Sequence, residues 1–128
     1  IVLDPVGAGS SRLRTETARQ LVSTLSPTVI RGNMSEILAI AGKESHIRGV
    51  DAADSDTVTG NTLPERADTL LNLSEQLGVI LSVTGPIDLV TDGKRCLMIR
   101  NGRPEMGRVT GTGCQLSALT AAFLAANR

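Results

Sequence analysis

The chain has 128 residues, the length of one ordinary domain, and its 13 basic residues are balanced by 13 acidic ones. This neutral balance argues against nucleic acid or a membrane surface as the main partner. With one Phe and no Trp or Tyr, the chain offers no stacking platform for bases, and its core has to be built from Leu, Val, Ile and Ala.

The first half of the chain alternates short apolar runs with helical patterns. "IVL" predicts a buried strand that ends at "DPVGAG", and "RTETARQLVSTLS" predicts a helix that begins at the cap Thr15 and ends at Pro27. "TVI" predicts a second strand. "NMSEILAIAG" predicts a second helix, in which Asn33 is the N-cap, Glu36 stands at capping-box spacing and Gly42 closes the helix.

The second half continues the alternation. Residues 43–60 are polar and predict a long loop, residues 62–77 predict a third helix, and "VILSVTG" predicts a third buried strand. "IDLVTDG" and "RCLMIRNG" predict a two-stranded hairpin, and the last helix is predicted from about Cys114 to Asn127. This order of strands and helices predicts an α/β fold with a mostly parallel, doubly wound sheet.

Polar or glycine-rich segments follow the predicted parallel strands. "DPVGAG", "RGN" and "TGPID" come after the first, second and third strand, and "GTGC" precedes the last helix. Ligands of open parallel sheets bind outside the carboxyl ends of the strands, so we expect these segments to lie along one edge. "DPVGAG" fits neither the dinucleotide fingerprint nor the Walker A loop. It is either a tight turn or a means of presenting Asp4 to a metal ion or a polar substrate.

Arg31 and Glu36 flank the turn from the second strand into the second helix. The guanidinium of Arg31 suits phosphate oxygens, because its planar fork donates two parallel hydrogen bonds. The carboxylate of Glu36 suits Mg²⁺, which takes few protein ligands and keeps its waters. The alternatives are a surface ion pair for Arg31 and a capping role alone for Glu36.

"VTGTGC" carries the strongest local signal. Its glycines leave backbone amides accessible, and the helix that follows adds its positive N-terminal end, which together predict an anion-binding hole. Cys114 stands at the start of that helix, where the thiolate form is favoured and can accept a proton from an attacking hydroxyl. The alternative is a glycine turn into a buried helix, with the cysteine acting as a small apolar residue.

Other reactive residue types are interpreted as structural or solvated. The two cysteines are too few for a disulfide scaffold, no metal-type Cys/His cluster is present, and Cys96 is predicted to pack within a strand. Reduced thiols in a cytoplasmic protein are the simplest interpretation. Six polar residues are predicted to be solvated, namely His46, Asp51, Asp54, Asp56, Lys94 and Arg95.

Several motifs in register resemble the hydroxyethylthiazole kinase family, which has the ribokinase-like fold. They are "LDPVGAG", "PTVIRGNMSEI", "VTGPIDLVTDGKR" and "RVTGTGCQLSALTAAFLAAN", and the similarity runs from Val2 to Asn127. The resemblance implies ATP- and Mg²⁺-dependent phosphorylation of the hydroxyl group of 4-methyl-5-(2-hydroxyethyl)thiazole in thiamine biosynthesis and salvage.

The resemblance also implies roles for individual residues. Arg31 and Thr84 match nucleotide contacts, and Gly111 matches the glycine beside the bound thiazole. Asp4 and Glu36 match the acidic pair around Mg²⁺ and phosphate. The remaining position is that of the catalytic base, which many ribokinase-like kinases fill with aspartate. This family commonly has cysteine there, as this chain does at position 114.

Residues 1–128 are expected to form the central to C-terminal part of one ribokinase-like kinase domain. Both the N-terminal segment that supplies much of the thiazole pocket and the C-terminal end are expected to be missing. The family implies a homotrimer when full length, with active sites at subunit boundaries. Two alternatives stay open. One is a related kinase for another small heterocyclic alcohol, such as a hydroxymethylpyrimidine or a pyridoxal-type alcohol, and the other is a non-catalytic nucleotide-binding fragment.

Overall fold

The computed structural model describes residues 1–42 and 58–127 as one sheet flanked by helices. The strands are β1 (Val2–Leu3), β2 (Val29–Asn33), β3 (Ile80–Thr84), β4 (Asp88–Thr91) and β5 (Cys96–Ile99), and they lie in the order β1-β2-β3-β4-β5. The helices are α1 (Arg12–Leu25), α2 (Met34–Ile40), α3 (Leu63–Leu77) and α4 (Thr112–Ala126), with a short 3₁₀ helix at Pro104–Arg108. The predictions for His46, Asp51, Asp54 and Asp56 lie outside the described residues.

The first three strands are parallel and bring their carboxyl ends to one edge of the sheet. Leu3 pairs with Ile30 in β2, and Asn33 at the end of β2 pairs with Thr84 at the end of β3. Polar residues that follow or end these strands therefore meet at the same edge, as expected. β2 is longer than predicted, because the strand continues through Arg31 as far as Asn33.

The sheet ends in the predicted hairpin. β4 pairs antiparallel with both β3 and β5, and Thr91 lies opposite Cys96 next to the turn. Gly93 in that turn has φ +84, a conformation that glycine adopts without steric cost. Lys94 and Arg95 are exposed at this end, as predicted.

The N-cap predicted for α1 is wrong. The helix is capped by Ser11, whose Oγ accepts the backbone N–H of Arg14 at 3.3 Å. Thr15 lies inside the first turn, where its Oγ1 accepts the N–H of Gly9 at 2.7 Å and donates to the carbonyl of Ser11 at 2.8 Å. Thr15 thus joins the glycine loop to the helix instead of beginning it.

The capping box predicted for α2 is confirmed. Oδ1 of Asn33 accepts the N–H of Glu36, and Oε2 of Glu36 accepts the N–H of Asn33, both at 2.9 Å. All seven residues of α2 are buried. The helix therefore leaves the edge of the sheet in a fixed direction and packs into the core.

The core is aliphatic, as the composition predicts. Its largest fully buried apolar side chains come from β2, β3, β4, α2 and α3, and they are Ile30, Met34, Ile37, Leu70, Leu81 and Leu89. Helix α4 differs, because none of its residues is buried and the side chain of Phe123 is 69% exposed. The alternative in which "GTGC" leads into a buried helix is therefore wrong for the described part of the chain. No helix among the described residues is long and apolar enough to cross a membrane.

Candidate functional site

A hydrogen-bonded cluster occupies the carboxyl edge of the parallel strands. Asp4 directly follows β1, Arg31 lies within β2, and Thr84 ends β3. Arg31 donates from Nη1 to Oδ2 of Asp4 at 3.0 Å and from Nη2 to Oγ1 of Thr84 at 3.2 Å. The structure thus brings together three of the residues that the sequence assigns to metal and nucleotide binding.

The guanidinium of Arg31 is buried. The residue is 7% exposed and the side chain of Asp4 is 18% exposed, so their ion pair is largely buried and the surface alternative is wrong. Nε of Arg31 is also buried, and it has no hydrogen-bond partner among the described residues. A buried donor without a partner costs free energy, which an acceptor oxygen of a bound ligand would offset.

Glu36 is held by backbone amides on both of its oxygens. Gly7 donates its N–H to Oε1 at 2.8 Å, and Asn33 donates its N–H to Oε2 at 2.9 Å. Burial raises the pKa of this carboxyl above its ordinary value, although the two amide hydrogen bonds act in the opposite direction. Glu36 therefore fixes the loop after β1 against the start of α2, so its capping role is present whatever else it binds.

The first turn of α4 lies against Arg31. Gly111 is the N-cap with φ +87, and no side chain caps the helix. A Cβ placed on Gly113 would come within 3.1 Å of Nη1 and 3.4 Å of Nη2 of Arg31. A larger residue would have to displace the guanidinium by a few tenths of an ångström, whereas glycine fits as it stands and brings the amide end of the helix beside a guanidinium. α4 begins at Thr112, two residues earlier than predicted.

Ser117 is a member of the cluster that the sequence analysis missed. Its hydroxyl donates to Oδ2 of Asp4 at 2.7 Å, across 113 residues of sequence. No local pattern predicts a contact over such a separation. The available signal was a serine within an apolar helix, one turn beyond Gly113.

The two cysteines lie in different environments. Cys114 is an exposed free thiol in the first turn of α4. Cys96 is a half-buried free thiol at the start of β5, where burial raises its pKa. The placement of Cys96 agrees with the predicted packing role, and Cys114 is accessible from solvent.

The oxygen donors of the cluster suit a hard cation. Oδ1 of Asp4 has no hydrogen-bond partner within residues 1–42 and 58–127. The carboxylates of Asp4 and Glu36 lie near each other, since the negative charge of Asp4 adds to the burial that raises the pKa of Glu36. No group of three or more His, Cys, Asp or Glu that could hold a metal occurs in the described ranges. Mg²⁺ needs no such group, since it binds through one or two carboxylates together with phosphates and water.

Comparison with known proteins gives one consistent result. The sequence model of the Hydroxyethylthiazole kinase family matches residues 1–128. The chain is 48% identical over 128 residues to the hydroxyethylthiazole kinase of Pyrococcus furiosus, covering 99% of this chain and 45% of the relative.

Two solved structures share the fold. The hydroxyethylthiazole kinase protein from Pyrococcus horikoshii OT3 superposes with a TM-score of 0.79 at 37% identity, over 98% of this chain and 42% of that one. The ADP complex of Bacillus subtilis pyridoxal kinase gives a TM-score of 0.62 at 25% identity, over 91% of this chain and 43% of that one. The ribokinase-like α/β class is confirmed, and the chain spans less than half the length of each of these three proteins.

Proposed function

We propose a reaction and a mechanism from one premise: this chain belongs to the hydroxyethylthiazole kinase family. The proposed reaction is transfer of the γ-phosphoryl group of ATP to the hydroxyl group of 4-methyl-5-(2-hydroxyethyl)thiazole, in thiamine biosynthesis. Residues 1–128 would form the central to C-terminal part of one kinase domain. Kinases named for this reaction match nearly the whole of this chain, which supports the proposal.

One observation carries the proposal. The guanidinium of Arg31 lies against Gly113, so a fixed positive charge adjoins the uncapped amide end of α4. Both groups stabilise anions, and together they suit a phosphate chain better than either does alone. Phosphoryl transfer depends mainly on such positioning and charge neutralisation.

Nucleotide binding is assigned to Arg31 and Thr84. Two N–H groups of Arg31 are already directed by Asp4 and Thr84, while its Nε is buried without a partner in the described part of the chain. A phosphate oxygen would supply that partner. The hydroxyl of Thr84 accepts from Nη2 and lies at the end of β3, which places it on the same edge.

Mg²⁺ is assigned to Asp4 and Glu36. When bound, the ion would neutralise charge that develops on the phosphate oxygens. Asp4 would contribute Oδ1, because Oδ2 already accepts from Arg31 and Ser117. Glu36 would contribute remaining lone pairs of a carboxylate whose two oxygens already accept backbone amides.

The acceptor end of the reaction is assigned to Gly111 and Cys114. The thiazole would lie beside Gly111, where the space is open, since even a Cβ there would meet nothing within 4 Å. The substrate hydroxyl oxygen forms its bond to the γ-phosphorus while the bond from that phosphorus to the β–γ bridging oxygen breaks and ADP leaves. The hydroxyl proton passes to the thiolate of Cys114, which becomes a thiol.

The assembly is proposed from the family, the location from the reduced thiols, and the absence of nucleic acid or membrane partners from the balanced charge. We propose a cytoplasmic homotrimer for the full-length protein, with active sites at subunit boundaries and no nucleic acid or membrane partner. The exposed apolar side chains of α4 and β5 are compatible with burial against further protein.

The test is a thiazole phosphorylation assay on the full-length protein with variants at both cysteines. Cys114→Ala is expected to lower kcat by about 10²- to 10⁴-fold, the usual contribution of a general base, with ATP binding intact by calorimetry. Cys114→Asp should retain activity, because a carboxylate also accepts the proton. Cys96→Ala is the matched control and should behave like the parent. If Cys114→Ala had the same kcat as the parent, Cys114 would not be the catalytic base.

A second candidate is a kinase for a pyridoxal-type alcohol, which the structural similarity to a pyridoxal kinase favours. A panel of thiazole, hydroxymethylpyrimidine and pyridoxal-type alcohols separates the two activities. Binding of ATP–Mg²⁺ without turnover of any alcohol would instead indicate a nucleotide-binding module.

A further inference from the structure

Helix α4 has no apolar stripe that would define its rotation. Its sequence is apolar on nearly every face, and none of its residues is buried in the described structure. Hydrophobic packing therefore does not specify which side of α4 meets the sheet. The first turn of the helix nevertheless has a defined position against Arg31.

A polar contact joins α4 to the sheet at this point. The Ser117 hydroxyl donates to Oδ2 of Asp4 at 2.7 Å, a length typical of a charge-assisted hydrogen bond. The same oxygen accepts from Nη1 of Arg31 at 3.0 Å. One carboxylate oxygen thus links α4, the end of β1 and the interior of β2.

Ser117 and Gly113 are four residues apart and lie on the same face of the helix. Holding Ser117 on Asp4 consequently holds Gly113 against the guanidinium, because a rotation that broke one contact would break the other. The hydroxyl also lies 3.2 Å from the carbonyl of Gly113, within the same turn.

We propose that Ser117 is a positioning residue for phosphoryl transfer. By bonding to Asp4 it fixes the rotation and depth of α4, and so places the amides of the first turn and the Cys114 thiol relative to Arg31. Single polar residues fix helix register in this way in coiled coils whose apolar seams leave it undefined. The assignment rests on the proposed kinase function, which it extends by one residue.

The experiment compares three variants in the full-length protein. Ser117→Ala removes the hydroxyl, Ser117→Thr keeps one, and Thr120→Ala is the matched control, since the Thr120 hydroxyl donates to Leu116 in its own helix at 2.8 Å. Steady-state kinetics with ATP and the thiazole give kcat and KM separately. Hydrogen–deuterium exchange of residues 112–120 provides a readout that needs no turnover.

Ser117→Ala is expected to lower kcat by about 10- to 100-fold, the usual cost of misplacing a reacting group by about 1 Å. KM for ATP should change by less than about threefold, because Arg31 and its partners remain. Ser117→Thr should recover most of the loss, and Thr120→Ala should match the parent. Residues 112–120 should exchange faster in Ser117→Ala than in Thr120→Ala.

The kinetics distinguish a failure of the positioning role from a failure of the proposed function. An active parent with parent kcat in Ser117→Ala would overturn the positioning role and leave the kinase function standing. A parent without activity on the thiazole would overturn the proposed function, and exchange would then decide the contact by itself. If the parent is inactive and residues 112–120 exchange equally fast in Ser117→Ala and Thr120→Ala, the positioning role of Ser117 is overturned as well.

Discussion

The strand-end cluster and the first turn of α4 lie against each other, yet they satisfy their polar groups in opposite ways. At the strand ends Asp4, Arg31 and Glu36 are bonded to protein partners at 2.7–3.0 Å or little more. The first turn of α4 has a glycine N-cap, no side-chain cap and an exposed cysteine. The first region pairs most of its charged groups within the protein, with only Nε of Arg31 and Oδ1 of Asp4 left without partners in the described residues. The second region offers backbone amides to an incoming anion.

This contrast indicates a division of labour. Buried charges that are already paired keep their geometry without a ligand, because unpairing either one would strand the other in a poorly solvated place. Uncapped amides gain most from an anion that arrives later. The rigid half of the site therefore presents preordered side chains to a ligand, and the open half adds unpaired backbone amides.

Gly113→Ala changes the contact between the two regions and has the largest expected effect of the variants that test this contrast. The added methyl would lie 3.1 Å from Nη1 of Arg31, so the guanidinium or the helix has to move. We expect kcat/KM in full-length protein to fall by about 100-fold, as for other small displacements in active sites. Alanine favours helix more than glycine does, so thermal unfolding should show no comparable loss of stability.

Gly107→Ala is the matched control for this prediction, since nothing lies within 4 Å of a Cβ at that position. It should have the kinetics of the parent. If Gly113→Ala were equally active, the helix end and the guanidinium would not act together.

Arg31→Ala tests whether the rigid region binds nucleotide. Loss of hydrogen bonds to a charged ligand should raise the KM for ATP by about tenfold or more. Arg95→Ala removes an arginine whose side chain is 80% exposed on the hairpin, and it should leave ATP kinetics unchanged. Unchanged ATP kinetics in Arg31→Ala would take that residue out of the site.

Glu36→Gln tests how firmly the strand-end cluster is held, and its expected effect, on the free energy of unfolding, is the smallest of the three. An amide side chain can accept only one of the two backbone N–H bonds, so the free energy of unfolding should fall by about 1–3 kcal/mol. Because the folded pKa of Glu36 is raised, this group binds more protons in the folded chain than in the unfolded chain, and it adds a downward slope to the stability of the parent as pH rises above 4.5. Glu36→Gln lacks that slope.

The measurement is chemical denaturation of both chains from pH 4.5 upward. The stability advantage of the parent over Glu36→Gln should narrow as pH rises through the raised pKa. An advantage that widened with pH would mean that the carboxyl is better accommodated when charged.

Local signals in the sequence were sufficient for the strands, the hairpin and the capping box of α2. Asn33 and Glu36 are three residues apart, and their reciprocal hydrogen bonds involve no distant partner. The cap of α1 was misjudged because Ser11 and Thr15 are both good cap residues. The choice of Ser11 depends on the glycine loop, whose Gly9 amide engages Thr15.

The site itself was predicted as a set of residues but not as a network. Placing Asp4, Arg31 and Thr84 at one edge followed from parallel strands. The burial of Arg31, its contact with Gly113 and the Ser117 bond to Asp4 depend on how α4 lies across the sheet. That placement joins residues more than eighty positions apart, which no periodicity in the sequence encodes.

The two hydrogen bonds that hold Arg31 also bear on the entropy of association. A long, flexible side chain that is ordered only on contact with a ligand costs about 0.5–1.5 kcal/mol of lost rotamer freedom. The hydrogen bonds to Asp4 and Thr84 already hold the Arg31 side chain in one conformation in the folded chain. A phosphate chain that reaches it therefore meets a prearranged receptor, and more of the contact energy is retained as affinity.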